Sequence, residues 1–145
     1  MKLSGKRIAL LVADSYQELE FWYPYYRLQE EGAEVVPVGS EAKVYKSKLG
    51  YPAEAKLAGK DVNAAEFDGV VIPGGYAPDL IRRDPDLVRL VREAYEQGKV
   101  VAAICHAGWV LASAGILEGR RVTSVSSIKD DLRNAGAEWV DQEVV

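Results

Sequence analysis

Short segments rich in apolar residues recur along the chain, and patterns typical of helices separate them. The expected strands cover residues 8–13, 34–38, 67–73, 99–104 and 122–125. The first of these is a continuous apolar run, which is typical of a strand covered on both faces. Strands that alternate with helices form right-handed βαβ units. The sequence therefore predicts one α/β domain with a mainly parallel sheet and helices on both faces.

The first predicted helix covers residues 17–31 and ends at Gly32, a residue suited to the left-handed position after a helix. Pro24 lies inside this helix and should kink or restart it, because proline has no N–H to donate. The residues expected on its buried side are Leu19, Trp22, Tyr26 and Leu28.

The remaining segments follow the same alternation. Asp84-Pro85 is a typical start for a helix, which is predicted over 86–97. Residues 40–66 show no clear period and are expected to form a surface excursion or a small hairpin. Two further helices and a last extended segment are predicted over 107–114, 128–134 and 138–140.

Composition limits the classes of protein to which the chain can belong. Its 145 residues suit one domain, and the net charge of −4 offers no basic face for nucleic acid. The apolar stretch after the basic N-terminus is too short for a signal peptide or a membrane span. A single cysteine excludes an internal disulfide and fits a reducing compartment. We therefore expect a soluble cytoplasmic protein that binds neither nucleic acid nor membranes.

Cys105 and His106 are the only cysteine and the only histidine of the chain. They stand where a predicted strand ends and a helix begins, a setting that stabilises a thiolate. Such a turn follows the logic of a nucleophile elbow, with backbone N–H groups near Gly75 and Ala107 as expected donors to an oxyanion. The alternative is a buried structural cysteine beside an incidental histidine.

Acidic residues at other strand ends are candidate partners of the cysteine. Glu18 and Glu20 begin the first helix, where acids also commonly complement the helix dipole. Asp79 follows the turn at Gly74-Gly75 and has the alternative role of a helix cap. This turn lacks the lysine of a phosphate-binding loop, and no residues have the spacing of metal ligands. The sequence thus predicts neither a cofactor nor a metal.

Four stretches of the chain together resemble the ThiJ/PfpI superfamily, and in particular its branch of PfpI-like intracellular proteases and deglycases. They cover residues 17–35, 71–79, 103–108 and 127–141. The resemblance implies a flavodoxin-like three-layer sandwich with Cys105 at the elbow. It also implies that Glu20 contacts the nucleophile, and that Asp79 completes a Cys-His-acid triad across a subunit boundary in a homodimer or hexamer. The aromatic residues at 21–26 favour such an interface, since one helix face cannot bury them all.

The resemblance implies a cysteine hydrolase that needs no cofactor and attacks a small carbonyl, a glycated amine or a peptide. Deglycase, glyoxalase and protease activities share this chemistry. The alternative is a non-enzymatic stress sensor or chaperone in which Cys105 is oxidised. A scaffold that keeps the fold and has lost activity is a third hypothesis.

Three features depart from the family pattern. Ala107-Gly108 replaces the more usual Gly-Pro after the Cys-His pair. Gln17 and Val125 stand where the family often has a second acid and a tyrosine. Finally, the domain over residues 1–145 is expected to lack the usual C-terminal strand and helix. Either the sequence is a truncated form, or a partner replaces the missing layer. Such a loss would expose apolar surface.

Overall fold

Five parallel strands form the central sheet of the computed structural model, which describes residues 1–145. Their order across the sheet is β5-β2-β1-β6-β7. In chain order, the strands are β1 (Arg7–Leu11), β2 (Glu34–Gly39), β3 (Val44–Lys46), β4 (Pro52–Glu54), β5 (Leu57–Ala58), β6 (Gly69–Ile72), β7 (Val100–Ala103), β8 (Arg121–Val122) and β9 (Glu138–Trp139). The helices are α1 (Glu18–Glu30), α2 (Ala77–Ile81), α3 (Pro85–Glu96), α4 (Gly108–Ala114) and α5 (Lys129–Asn134).

The strand order reverses between β1 and β6, and this reversal determines where a site can form. The chain leaves β1 through α1 and moves outward to β2, whereas it leaves β6 through α2 and α3 and moves in the opposite direction to β7. Right-handed crossovers in opposite directions place α1 on one face of the sheet and α3 on the other. The carboxyl ends of β1 and β6 therefore open a crevice of the kind in which α/β proteins bind ligands. The predicted three-layer α/β fold is confirmed.

Several elements outside the central layers differ from the prediction. Residues 40–66 form the expected hairpin from β3 and β4, and they also supply β5, which extends the central sheet next to β2. The predicted fifth strand is shorter than expected and does not join that sheet. It is β8, which pairs with β9 in a separate two-stranded parallel sheet. The short helix α2 was not predicted.

Helix α1 continues through Pro24 as a single element, so the predicted restart does not occur. Its buried face is also rotated from the predicted one. Phe21 is fully buried, and Trp22 and Leu28 are partly buried against the core, but Leu19 is 71% exposed and Tyr26 58% exposed. The prediction of the buried side is therefore correct for Trp22 and Leu28, and it omitted Phe21. A helix this rich in aromatic residues has no single apolar stripe from which its inward face can be chosen.

The outer edge of β7 is open. This strand pairs only with β6. Val100 at its start is 67% exposed, and Ile104, the residue after its end, is 50% exposed. Between β7 and α1 runs a mainly apolar groove of about 560 Å³ that Leu19 and Tyr23 border. Exposed apolar side chains therefore line this side of the molecule. Among the helices of the structure, none combines the length and the apolar character that crossing a bilayer requires.

Truncating Phe21 should test which face of α1 the core holds. Phe21→Ala removes a fully buried ring and is expected to lower the free energy of unfolding by about 3–5 kcal/mol. Tyr23→Ala is the matched control on the same helix, because Tyr23 is 71% exposed and its loss should cost less than about 1 kcal/mol. Urea unfolding of both variants measures the difference. Equal losses would contradict the assigned face.

Candidate active site

Cys105 lies at the carboxyl end of β7 with its backbone in the left-handed region, at a φ of 61°. A 3₁₀ turn over Cys105–Ala107 then leads directly into α4. Left-handed backbone costs a non-glycine residue about 1–2 kcal/mol and persists only where the surrounding structure enforces it. Strained residues of this kind cluster at functional sites, so the geometry supports the predicted nucleophile elbow.

Three backbone hydrogen bonds hold the strained turn in place. The Ile104 N–H donates to the Ile72 carbonyl of β6 at 3.4 Å, and the Ala107 N–H donates back to the Ile104 carbonyl at 2.9 Å. The Val125 N–H donates to the Cys105 carbonyl at 3.3 Å. The elbow is thus attached to the neighbouring strand on one side and to the loop after β8 on the other.

The His106 imidazole contacts the cysteine directly. Its Nδ1 lies 3.3 Å from the Cys105 Sγ, within the distance of a hydrogen bond to sulfur. Its other ring nitrogen, Nε2, lies 3.4 Å from the Ser127 Oγ. The ring also packs edge-on against Trp109, with 5.0 Å between the ring centroids. Although adjacency in sequence does not by itself form a dyad, the structure brings Cys105 and His106 together.

The Glu20 carboxyl reaches the elbow from α1. Its Oε1 accepts a hydrogen bond of 2.9 Å from the Gly74 N–H at the end of β6. Gly74 has no room for a side chain, because a Cβ there would collide with the Glu20 Oε1 and would lie 2.6 Å from the Cys105 Cβ. Burial raises the pKa of the Glu20 carboxyl, and the Gly74 N–H and the charges of Lys48 and His106 oppose this shift. A carboxyl with a raised pKa is better able to keep the proton that donation to a thiolate requires.

The hydrogen bonds at the elbow do not include one between Glu20 and the sulfur. Cys105 bonds to His106, and Glu20 bonds to Gly74. The structure therefore places the Glu20 carboxyl beside the elbow, with Gly74 packed against both residues. Direct contact of Glu20 with the nucleophile stays a prediction.

Glu18 has a different environment, although it stands only two residues before Glu20. Its Oε2 accepts a hydrogen bond of 2.9 Å from the Leu49 N–H. The Ser47 hydroxyl and this N–H hold the pKa of the Glu18 carboxyl below its usual value. Glu18 thus binds the loop between β3 and β4 and does not take part in the elbow.

The two predicted oxyanion donors differ in availability. The Ala107 N–H is engaged in the 3₁₀ turn described above. The Gly75 N–H, by contrast, donates to no acceptor of the chain. Gly75 has a φ of 81°, and a Cβ there would lie 2.6 Å from the Ser15 carbonyl oxygen. The geometry favours Gly75 over Ala107 as a donor.

Asp79 makes no hydrogen bond or ion pair with the His106 of its own chain. Its carboxylate pairs with Arg83 one turn later in sequence. It also borders a surface depression of about 370 Å³ together with Arg82, Trp109 and Asp131. Because Trp109 packs against His106, this depression adjoins the elbow on the outside of the molecule. Within one chain, Asp79 does not complete a triad.

Ser127 is the residue at the elbow that the sequence did not single out. It lies in the loop after β8, and no spacing relative to Cys105 or His106 marks it. Its neighbour in sequence is the buried Ile128. The apolar character of Ile128 could have indicated only that this turn is fixed to the core.

The structure contains no group of three or more His, Cys, Asp or Glu side chains that could hold a metal ion.

Comparison with known proteins places this geometry in a family. The model of the DJ-1/PfpI family matches residues 6–145. A deglycase of Pyrococcus abyssi is 46% identical over 139 residues, which are 96% of this chain and 84% of the relative. The protein/nucleic acid deglycase 2 of Escherichia coli is 40% identical over 143 residues, covering 97% of this chain and 83% of the relative.

A solved structure is similar over almost the whole chain. It is a two-domain protein of Anabaena variabilis with DJ-1/ThiJ/PfpI-like and ferritin-like domains. It matches with a TM-score of 0.94 and 43% identity, over 97% of this chain and 41% of its own. The resemblance noted from the sequence motifs is therefore confirmed, and the architecture of the central sheet agrees with it.

The raised pKa of Glu20 predicts a pH-dependent effect of Glu20→Gln on stability. Gln keeps an oxygen that can accept from the Gly74 N–H and carries no charge. Below about pH 4 the carboxyl is protonated in both the folded and the unfolded chain, so the substitution should change little. As pH rises, the unfolded chain ionises first and the wild type loses stability. The variant should therefore gain stability relative to the wild type, and urea midpoints at pH 3.5, 5 and 7 measure this trend.

Glu18→Gln is the matched control, with the opposite sign. A lowered pKa contributes stability that is present above the ordinary pKa of glutamate and is lost as the pH falls. This variant should therefore be less stable than the wild type at pH 7 and equal to it at low pH. A trend of the same sign in both variants would contradict the environments assigned to the two acids.

Proposed function

The chain belongs to the DJ-1/PfpI family, and from this membership and the geometry of the elbow we propose that it is a cofactor-independent cysteine hydrolase of the PfpI type. Its relatives at 40–46% identity include proteins named as deglycases. The observation that carries the proposal is the contact of 3.3 Å between the Cys105 Sγ and the His106 Nδ1 on a strained turn. A thiol with an imidazole base in contact is the arrangement that covalent catalysis by cysteine requires.

The first step uses the two residues that touch. The thiol proton of Cys105 passes to the His106 Nδ1, and the sulfur electron pair forms a bond to the carbonyl carbon of the substrate. The electrons of the C=O double bond move onto the oxygen, which becomes negatively charged. An aldehyde gives a hemithioacetal once His106 returns the proton to this oxygen. With an amide, the proton goes to the leaving nitrogen, the C–N bond breaks and a thioester forms.

The surrounding groups act on the charges that develop in this step. The Gly75 N–H, which has no acceptor in the chain, can donate to the oxyanion. Burial raises the pKa of the Glu20 carboxyl, so this group keeps a proton more readily than an exposed glutamate does, and its protonated form beside the elbow would favour the thiolate. A reducing compartment such as the cytoplasm would keep Cys105 in its reactive thiol form.

The class of substrate follows from the same chemistry. A thiolate adds to small dicarbonyls such as methylglyoxal, to the carbonyl of an amine adduct formed by such a dicarbonyl, and to peptide amides. The names of the relatives favour the second of these, the removal of an early glycation adduct from an amino group. Addition of one water to this adduct can release the amine and a hydroxy acid. No external oxidant is needed, because the former aldehyde carbon is oxidised to a carboxyl while the adjacent ketone carbon of the same molecule is reduced to an alcohol.

The role of Asp79 requires a second copy of the chain. Its carboxylate pairs with Arg83 on the outside of its own protomer and borders the depression next to Trp109. On this surface it could approach the His106 of a neighbouring subunit. A homo-oligomer with active sites at its subunit boundaries is therefore part of the proposal, and whether it is a dimer or a hexamer is left to experiment.

Cys105→Ala tests the proposed nucleophile. Loss of the only thiol should lower the turnover of methylglyoxal and the release of amine from a methylglyoxal-treated peptide by at least about a thousandfold. The fold should persist, because alanine removes one atom from a partly exposed side chain. Circular dichroism and urea unfolding check the fold while product assays follow turnover. A folded variant with full activity would exclude the mechanism.

Mixing an impaired variant with an inactive one tests the cross-subunit role of Asp79. Light scattering at micromolar concentration should first show a dimer or a larger oligomer. Asp79→Asn is expected to lower kcat/KM about tenfold or more, whereas Asp130→Asn, which breaks a comparable surface pair with Arg133, should not. When the Asp79→Asn and Cys105→Ala variants are mixed and allowed to exchange subunits, some sites regain both groups.

Recovery of activity after mixing is therefore the expected result. No recovery in a sample in which co-purification of differently tagged subunits shows mixed oligomers would place the function of Asp79 within its own chain. A stable monomer with undiminished activity would remove Asp79 from the mechanism altogether.

A further inference from the structure

We propose that Ser127 positions the His106 imidazole for catalysis by accepting a hydrogen bond from its Nε2–H. The two atoms lie 3.4 Å apart, while the Nδ1 of the same ring faces the cysteine sulfur at 3.3 Å. The imidazole therefore lies between a thiol and a hydroxyl, with one partner for each ring nitrogen. This inference rests on the proposed role of His106 as the base for Cys105.

The backbone fixes Ser127 at this place, although its side chain is exposed. The 3₁₀ turn Ser126–Ile128 begins next to Val125, whose N–H donates to the Cys105 carbonyl at 3.3 Å. The turn ends on Ile128, which is 2% exposed in an apolar cluster with Leu132. A hydrogen bond to the elbow on one side and a buried side chain on the other thus hold the hydroxyl near the imidazole.

The chemistry of the ring explains why a group at Nε2 matters. To take the thiol proton, the Nδ1 must have its lone pair free, so the proton of the neutral ring must be on Nε2. A hydrogen-bond acceptor at Nε2 favours this tautomer and also stabilises the imidazolium that forms after proton transfer. The Ser127 oxygen can accept in both states.

No carboxylate of the same chain takes this place. Glu20 bonds to Gly74 and Asp79 pairs with Arg83, while the hydrogen bonds of the His106 ring go to Cys105 and Ser127. Ser127 is thus the group of this chain that can orient the ring before any second subunit contributes. A carboxylate from a partner subunit would compete with it for the same nitrogen.

The ring nitrogens of His106 can be observed directly, because it is the only histidine of the chain. Nitrogen-15 NMR of the wild type at pH 8 should show a proton on Nε2, whether the ring is neutral or charged. Ser127→Ala should shift the neutral ring toward a mixture of tautomers, and Ser127→Thr, which keeps a hydroxyl, should restore the wild-type signals. Ser126→Ala, in the same turn, is the matched control and should change neither signal.

The rate at which iodoacetamide alkylates Cys105 gives a second measurement that needs no substrate. Ser127→Ala should slow alkylation at pH 7 by about threefold to tenfold, as expected for the loss of one neutral hydrogen bond. Ser127→Thr and Ser126→Ala should react at nearly the wild-type rate. These results are independent of turnover, so they remain valid if the Cys105→Ala experiment refutes the proposed reaction.

Three results would overturn the inference. One is a wild-type ring with its proton on Nδ1 and none on Nε2, a result that needs no variant to fold. Another is a Ser127→Ala variant with unchanged ring signals and an unchanged alkylation rate across pH 6–9. The third is a shift of the ring signals in Asp79→Asn but not in Ser127→Ala, which would assign the position at Nε2 to a carboxylate.

Discussion

The left-handed backbone of Cys105 is the constraint on which the arrangement of the site depends. It turns the chain out of β7 so abruptly that the cysteine side chain and the next residue, His106, face the same space. The strain is maintained because β6 and the loop at Val125 each bond to the turn. Those two attachments also place Gly74 on one side of the elbow and Ser127 on the other. The same two attachments therefore maintain the strained backbone and bring the residues of the site together.

Apolar segments and glycine or proline signals were sufficient to predict the central architecture. The short apolar runs around Leu10 and Val70 are buried on both faces, as expected for strands of a parallel sheet that helices cover on both sides. Asp84-Pro85 starts α3 as expected. The errors occur where contacts between distant parts of the chain decide which residues form a strand or face the core. Leu57-Ala58 becomes a strand only because β2 offers a free edge, and the inward face of α1 depends on how its aromatic rings pack together.

At the candidate site, the sequence anticipated the contact between residues that are adjacent, while their catalytic roles stay predictions. Cys105 and His106 are adjacent, and a cysteine between the end of a strand and the start of a helix is typical of a nucleophile elbow. Gly75 was recognisable from its turn, although its free N–H depends on how the neighbouring backbone pairs. The Tyr76 N–H donates to the Ser15 carbonyl and the Gln17 N–H donates to the Gly74 carbonyl, so neither bond uses the Gly75 N–H. Ser127 could not have been found in this way, because it reaches the imidazole from the 3₁₀ turn Ser126–Ile128, 21 residues after His106 in the chain. The pair of Asp79 with Arg83 is local in sequence, but the family pattern assigned Asp79 to a neighbouring subunit and did not indicate this partner.

Glu18 and Glu20 show why residue type alone does not assign a role at such a site. Both are acids of the first turn of α1, and the helix dipole acts on both in the same direction. Their pKa values nevertheless shift in opposite directions, since Glu20 is enclosed at the junction with Gly74 while Glu18 receives hydrogen bonds from the loop at Ser47. An acid that stays ionised close to the sulfur would oppose the formation of a thiolate. The fold therefore directs the acid that keeps its proton more readily toward the cysteine and the more acidic one away from it.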